Sequence, residues 1–478
     1  MIFLLHHDIF RSSNAGNSRQ LSFGRARLTA REHTPVKEKK IPKSILGRTG
    51  RLLLSGARIA SKEVTGRIAA SFSEGGDAVR LATKIKQTQD FVRTLGQLKG
   101  AAMKAGQFMS LEFGDLLPEE VSDVLRQLHD SSTFMPEAQM RSLLLHELGT
   151  ERLAQLKGLT AEPIAAASIG QVHRASLAGR DVVVKIQFPG VADSIDSDLA
   201  VLRRTMSAYL QLQGKTMDLV PLFEELARCL KQEADYLQEA DNVAEFRQAF
   251  AGSSYIVPEV FRELSTKKVL TLSYERGVKL VDWLRAEPGP KALQHFSALI
   301  LDLLIQEFFV HGIVQTDPNY GNFLYRPQDG HLVLLDFGAT NRYTAKFRQE
   351  FRLLLIAACD GDQAQVLKLT QDYGFFDRRE PPEAVREYLE LMRIVAGLFS
   401  RDKQPINFAD EAFIKSARET VFRLVQEIKH SPPAKHLVFL NRKLGGMFHV
   451  LKDAGTTADL HAWFGKVREL NLTGQEDR

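Results

Sequence analysis

The sequence predicts an α+β chain built in two lobes, and three observations carry that prediction. Two β-type runs, Ile169–Ser176 and Asp181–Phe188, are joined by the four residues Leu-Ala-Gly-Arg. A second β pair lies inside the stretch Val314–Gly338, VQTDPNYGNFLYRPQDGHLVLLDFG, where a Pro/Gly turn separates two short strands. Around both pairs the apolar residues recur at helical spacing, as in Leu219–Phe250, Lys291–His311 and from Tyr343 onward. At 478 residues the chain has room for two or three domains.

Residues 1–77 read as a basic leader. Between Met1 and Ala70 there are 14 Lys/Arg and 4 Asp/Glu, a balance of +10, so the remainder carries −5 of the total +5. Arg11–Lys43 has no periodicity and almost no acids; it reads as a solvated tail or a mitochondrial-type presequence. Ser44–Ser71 spaces Leu46, Leu52, Leu53, Leu54, Ile59, Val64 and Ile68 against Arg48, Arg51, Arg58, Lys62 and Arg67. That pattern suits an amphipathic helix, either on an anionic membrane surface or docked on the body. No nucleic-acid signature accompanies the charge, so nucleic acid is not expected as a partner. Two cysteines make no disulfide framework. No apolar run reaches bilayer length; the nearest, Phe296–Val310, is interrupted by Asp302, Gln306 and Glu307.

Residues 78–155 are expected to form a helical extension. It contains LKGAAMKAGQFMS, in which Lys104, Gly106 and Gln107 share about one turn. Glycine inside a helix costs about 1 kcal/mol against alanine, and close approach to another surface is the usual compensation. Helices continue over Leu116–Leu148, with Pro118 and Pro136 at first turns.

Residues 156–275 follow as a β-rich lobe with an inserted helix. Ala165, Ala166, Ala167 and Ser168 precede the first strand, where a phosphate-covering loop would sit; small side chains there allow backbone to approach an anion. Lys185 stands in Val-Val-Val-Lys-Ile, and a lysine in so apolar a strand needs a partner. A helix over Asp193–Gln213 and a longer one over Leu219–Phe250 come next. The second contains Glu233, Asp235 and Glu239. On one continuous helix Glu233 and Glu239 would point about 120° apart and serve different partners. Glu239 is the candidate for Lys185, and Glu233 and Asp235 for Lys104. Two strands, around Ile256–Phe261 and Lys268–Ser273, lead to a Gly-containing connection, Glu275–Lys279, that reads as a hinge near an adenine-binding backbone.

Residues 276–478 read as a helical lobe holding the chemistry. His311, beside Gly312, reads as a helix-end residue. Asp317 and Asn322 sit five apart in a loop, and Asp336-Phe337-Gly338 follows the hairpin. One carboxylate to handle an acceptor, plus an amide and a second carboxylate to hold magnesium, is the layout of a phosphoryl-transfer centre.

In this order the pieces resemble a bilobal protein-kinase-like fold. The KxGQ stretch Lys104–Gln107, the alanine loop Ala165–Ser168, the ExD pair Glu233/Asp235 and QTDPNYGNF at Gln315–Phe323 together resemble the UbiB/AarF family of atypical kinases, from about Ala78 to the C-terminal helices. The resemblance implies ATP and Mg²⁺ as cofactors and a role in ubiquinone or membrane-lipid metabolism. Lys185 would bind the ATP α/β-phosphates and pair with Glu239, Asn322 and Asp336 would hold the metal, and Asp317 would orient the acceptor. Ala165–Ser168 would cover the nucleotide, and Lys104, Gln107, Glu233 and Asp235 would form a lid. It also implies work at the inner membrane, on its cytoplasmic or mitochondrial matrix face, with a quinone-precursor lipid and a homodimer as further expected partners. Gln315-Thr316 replaces the usual His-Arg before the catalytic acid, which removes an arginine from the loop. A nucleotide-switched lipid carrier and a true protein kinase stay open as alternatives.

Overall fold

The computed structural model describes residues 134–472, apart from Ser168, residues 213–218, Pro318, Glu411 and residues 432–434. The leader, Lys104, Gln107, Ser168 and most of the expected helical extension lie outside them. The described chain forms two compact units, one of residues 134–240 and 260–274, the other of residues 241–259 and 275–472.

The first unit is built on a five-stranded antiparallel sheet. Strands β1 (Leu156–Lys157) and β2 (Ala165–Ala167) both pair with β3 (Gly170–Leu177), which pairs with β4 (Arg180–Gln187), and β4 pairs with β6 (Val269–Ser273). The β3–β4 turn is two residues, shorter than the expected four. Ala178 (φ 48°) and Gly179 (φ 80°) both take the left-handed conformation that a type I′ hairpin needs. Strand β4 alternates: Val182, Val184 and Ile186 are fully buried, while Lys185 lies on the opposite face. Helix α1 (Glu137–Leu153) lays Met140, Leu144 and Leu148 in the same core cluster. Each such side chain contributes about 1.5–3 kcal/mol on burial.

A buried polar chain ties the start of this unit to the sheet. The Gln171 amide accepts from Met135 N at 2.7 Å and meets His173 Nε2 at 2.8 Å, and His173 Nδ1 donates to Thr160 O at 2.8 Å. Burial holds the His173 pKa below its ordinary value.

The helix expected over Leu219–Phe250 is two helices. Helix α2 (Val191–Leu212) is followed by α3 (Val220–Glu233) and α4 (Tyr236–Ala249). Between the latter two, Gln187 Nε2 donates to Ala234 O at 2.8 Å and Tyr236 N donates to Lys267 O at 3.2 Å. These bonds satisfy backbone groups at the break, which neither proline nor glycine marks. Glu233 and Glu239 therefore stand on different helices, and the angle expected for one continuous helix does not apply. The division between the units falls within α4, after Ala240.

The second unit contains a four-stranded sheet in the order β5 (Tyr255–Ile256), β10 (His331–Leu334), β9 (Phe323–Arg326), β7 (Val278–Lys279). Strand β5 is two residues long and pairs in parallel with β10. A two-stranded ladder joins β8 (Ile313–Gln315) to β11 (Thr340–Arg342). Helix α5 (Leu280–Arg285) precedes α6 (Pro290–Leu304), which runs on as a π-helical turn, Ile305–His311. By length and composition Pro290–His311 suffices to cross a membrane, contrary to the sequence expectation, with 22 residues and a stretch inside it of mean hydropathy 1.4. Its setting is that of a core helix: Phe296, Ile300, Leu303 and Phe308 are buried, and its Asp302 accepts from Tyr255 Oη at 2.9 Å.

Gly312 ends that helix with φ 70°, and a Cβ there would stand 2.7 Å from Tyr343 O. Arg348 donates to Phe309 O and Val310 O, satisfying carbonyls at the helix end. His311 packs on the Phe250 ring at 5.4 Å, the structural place expected for it. Helices α7 (Ala345–Cys359), α8 (Gln363–Asp372), α9 (Pro382–Gly397) and α10 (Ala412–Glu427) share a second apolar core. Helix α11 (Lys435–Asp453), a short ladder of β12 (Ile406–Asn407) with β13 (Thr457–Ala458), and α12 (Leu460–Glu469) complete the unit.

Candidate active site

In the first unit Lys185 and Glu239 meet as expected. Lys185 Nζ donates to both Glu239 carboxylate oxygens, at 2.8 and 2.9 Å. The lysine side chain keeps 14% exposure and the glutamate 1%. The Tyr236 ring lies 5.1 Å from the ammonium. The pleat explains the placement: with Val182, Val184 and Ile186 committed to the core, the residue between the last two must face the other way.

Ala165–Ala167 form no loop. They are an edge strand, registered Ala165↔Val172, Ala166↔Gln171 and Ala167↔Gly170. Ile169 stands in a turn just before β3. Gly170 next to it admits no side chain, because a Cβ would sit 2.4 Å from Ile186 O. Asp235 is the N-cap of α4, its Oδ1 accepting from Leu237 N at 3.1 Å and Gln238 N at 3.3 Å. Glu233 is half-buried at the end of α3. Whether these acids meet Lys104 lies outside the described residues.

In the second unit two ladders converge. The β9–β10 register sets Phe323 against Leu334, which brings Asn322 and Asp336 to the same end of the hairpin; Leu335 N donates to Asn322 O at 3.0 Å. The β8–β11 register sets Gln315 against Thr340, which brings Asp317 beside the turn after Asp336. Asp317 O accepts from Gln315 Nε2 and Asn322 Nδ2, both at 2.8 Å. Asp336 Oδ1 accepts from Gly338 N at 3.1 Å. Phe337 is fully buried, its ring 4.8 Å from that of Phe246, and its carbonyl accepts from Asn242 Nδ2 at 2.9 Å. Asp317, Asn322 and Asp336 are thus brought together, each half-buried.

Helix α11 braces this loop with residues that the sequence reading missed. Arg442 Nη2 donates to Asp317 Oδ1 at 3.1 Å. Lys443 Nζ stands 2.7 Å from Glu307 and 3.4 Å from Gln315 Oε1. Tyr320 Oη donates to Asp453 at 2.6 Å and lies 3.1 Å from His449 O. Burial raises the Glu307 pKa, opposed by Lys443. Asp317 and Arg442 are 125 residues apart, so no local pattern could have joined them.

The sequence pattern of the ABC1 atypical kinase-like domain matches residues 127–370, a stretch containing Lys185, Glu239, Asp317, Asn322 and Asp336. The chain belongs to the ABC1, or UbiB/AarF, family of atypical kinases. Its fold is accordingly α+β, bilobal and protein-kinase-like. Among its relatives, the Schizosaccharomyces pombe protein named "Atypical kinase COQ8, mitochondrial" is 32% identical over 367 residues, 76% of this chain and 59% of that one. "Atypical kinase COQ8B, mitochondrial" of Danio rerio is 34% identical over 75% of this chain and 57% of its own. The Rattus norvegicus COQ8B protein is 34% identical over 75% of this chain and 67% of its own. The chain thus spans under three-fifths of the first two ABC1 relatives. A Mycobacterium tuberculosis protein, Rv3197, solved with erythromycin, shares the fold with a TM-score of 0.55 at 24% identity, over 82% of this chain and 98% of its own.

Proposed function

We propose that the chain is a Mg²⁺- and ATP-dependent atypical kinase or ATPase that serves isoprenoid-quinone (ubiquinone) biosynthesis or membrane-lipid metabolism. The observation that carries this reading is the convergence of Asp317, Asn322 and Asp336 through two independent ladders. The names of the relatives support the kinase class. Their mitochondrial designation supports a mitochondrial setting, and the basic leader suits an anionic membrane surface such as the matrix face of the inner membrane.

The donor chemistry fits the metal. Asn322 spends its amide nitrogen on Asp317 O, which leaves its oxygen as a ligand. With the Asp336 carboxylate this makes an oxygen-only pair suited to a hard cation. Among the described residues no three or more His, Cys, Asp or Glu cluster to hold a metal. Magnesium between nucleotide phosphates needs only one or two protein oxygens. When bound, it would neutralise charge on the β- and γ-phosphates.

The chain's own residues do the rest. Lys185, held by Glu239, would take the α/β-phosphates as a point charge. Asp317 would orient an acceptor hydroxyl or a water. Ala165, Ala166, Ala167 and Ser168 would cover the phosphates with backbone, which their small side chains allow to come close. Lys104, Gln107, Glu233 and Asp235 would close the lid. Positioning and electrostatic stabilisation supply most of the rate in such reactions.

The test is Mg–ATP turnover by the purified chain, with and without anionic liposomes, beside Asp336→Asn. Turnover that the liposomes raise and the substitution abolishes is the expected result. Failure to bind Mg–ATP, or an Asp336→Asn variant indistinguishable from wild type, sinks the proposal.

A further inference from the structure

The catalytic loop Gln315–Phe323, QTDPNYGNF, contains no lysine or arginine. A transferring phosphoryl group spreads negative charge over its three equatorial oxygens, and a cation beside them accelerates the step. The fold delivers one from another element. Arg442 on α11 donates to Asp317 Oδ1 at 3.1 Å, with only 9% of its side chain exposed.

We propose that Arg442 is a catalytic residue of this chain, the in-cis arginine that contacts the phosphoryl group as it moves from ATP. This rests on the function proposed above. In that reading Asp317 is within hydrogen-bond reach of the attacking oxygen, which stands about 3–3.5 Å from the phosphorus. A guanidinium bonded to Asp317 is then within a few ångströms of the equatorial oxygens. Its five donors lie in one planar fork, so one edge can hold Asp317 while another meets the phosphoryl group.

The placement is rigid. The next residue, Lys443, is wholly buried against Glu307 and reaches Gln315, and Tyr320 is tied to His449 O and Asp453 on the same helix. Helix α11 thus grips the loop on both sides of Asp317. A site built on a packed helix holds its groups more closely than one built on a loop.

The step balances simply. The bond from the γ-phosphorus to the β–γ bridging oxygen breaks, and ADP leaves with that electron pair. A bond forms from the phosphorus to the oxygen of the acceptor hydroxyl or water, whose proton passes by way of Asp317 to solvent. Arg442 stays protonated throughout and only matches the charge.

The simpler reading is that Arg442 merely orients Asp317. The two differ in what they do to a mimic of the transferring group. The full chain is therefore compared as wild type, Arg442→Ala and Arg442→Lys. The readouts are Mg–ATP turnover, affinity for MgADP, and affinity for MgADP with aluminium fluoride. Arg442→Ala is expected to lose about 10³-fold in kcat, as for an arginine acting at a phosphoryl group, with KM little changed. It should bind MgADP as wild type does and lose the extra affinity that aluminium fluoride confers. Arg442→Lys keeps a charge beside Asp317 and so protects the fold, but lacks the fork; it should recover only part of both. Added guanidinium should restore turnover to Arg442→Ala.

A wild-type kcat in Arg442→Ala overturns the inference. So does a lowered kcat with aluminium fluoride affinity intact, which assigns Arg442 to Asp317 alone. A wild type without turnover fails at the earlier step, and the proposed function falls with it.

Discussion

Among the described residues two buried lysine–glutamate pairs are built differently. Lys185–Glu239 has two good hydrogen bonds, and its lysine keeps 14% exposure. Lys443–Glu307 is sealed, with 0% and 1% exposed and the two groups 2.7 Å apart. The first has an edge that a ligand can use. The second has none, and its reach to Gln315 makes it a brace under the loop that carries Asp317. A buried pair is therefore not evidence of a binding site; the remaining access decides.

Lys443→Met should give the largest effect. Removing one partner of a buried pair costs about 3–5 kcal/mol, because the other charge is stranded. The sign with pH follows from Glu307, whose folded pKa is raised, chiefly by burial. Above the unfolded-state value near 4.5, the unfolded chain sheds this proton first, so stability falls as pH rises towards the folded pKa. Without Lys443 the folded pKa climbs further. Urea denaturation should then show a smaller loss at pH 5 than at pH 8. An equal loss at both would mean that Glu307 carries no stranded charge, and the contrast between the pairs would fail.

Lys185→Met comes next. Turnover of Mg–ATP should fall by at least about 10²-fold, as for loss of one preorganised electrostatic donor. Stability should fall less than in Lys443→Met, because the opening through which Lys185 keeps 14% exposure lets water reach the stranded Glu239 carboxylate. A loss as large as that of Lys443→Met would make this pair a brace too. The smallest effect belongs to the double change Glu307→Gln with Lys443→Met. It removes both charges and should return to within about 1 kcal/mol of wild type at pH 8, measured in the same denaturation series.

The two regions were unequally legible in the sequence. Lys185 could be read because a charge amid alternating valines has few places to go. Asp317, Asn322 and Asp336 could be read because short ladders, each spanning a few residues, bring them together. Arg442, Lys443 and Glu307 could not. Adjacent basic residues on an amphipathic helix look like a solvated face, and only the tertiary packing of α11 turns them inward. The single helix expected over Leu219–Phe250 failed for a related reason. Ala234 and Asp235 are compatible with helix, and the break is imposed by Gln187 and Lys267 from elsewhere in the chain. Ala165–Ala167 read as a loop in the sequence, since alanine alone carries little strand signal; pairing with β3 makes them a strand.

That break has a consequence for genetics. Asp235 belongs to the ExD pair, so a loss of function on changing it to alanine would be credited to the lid. Yet Asp235 also starts the helix whose first turn carries Glu239. An alanine there removes a cap worth about 1 kcal/mol and loosens the backbone that aims Glu239 at Lys185. Serine separates the two phenotypes, since it caps as well but bears no charge. If Asp235→Ser keeps nucleotide affinity while Asp235→Ala loses it, the defect in the alanine allele is a frayed helix. If both lose it alike, the carboxylate itself is what the protein needs.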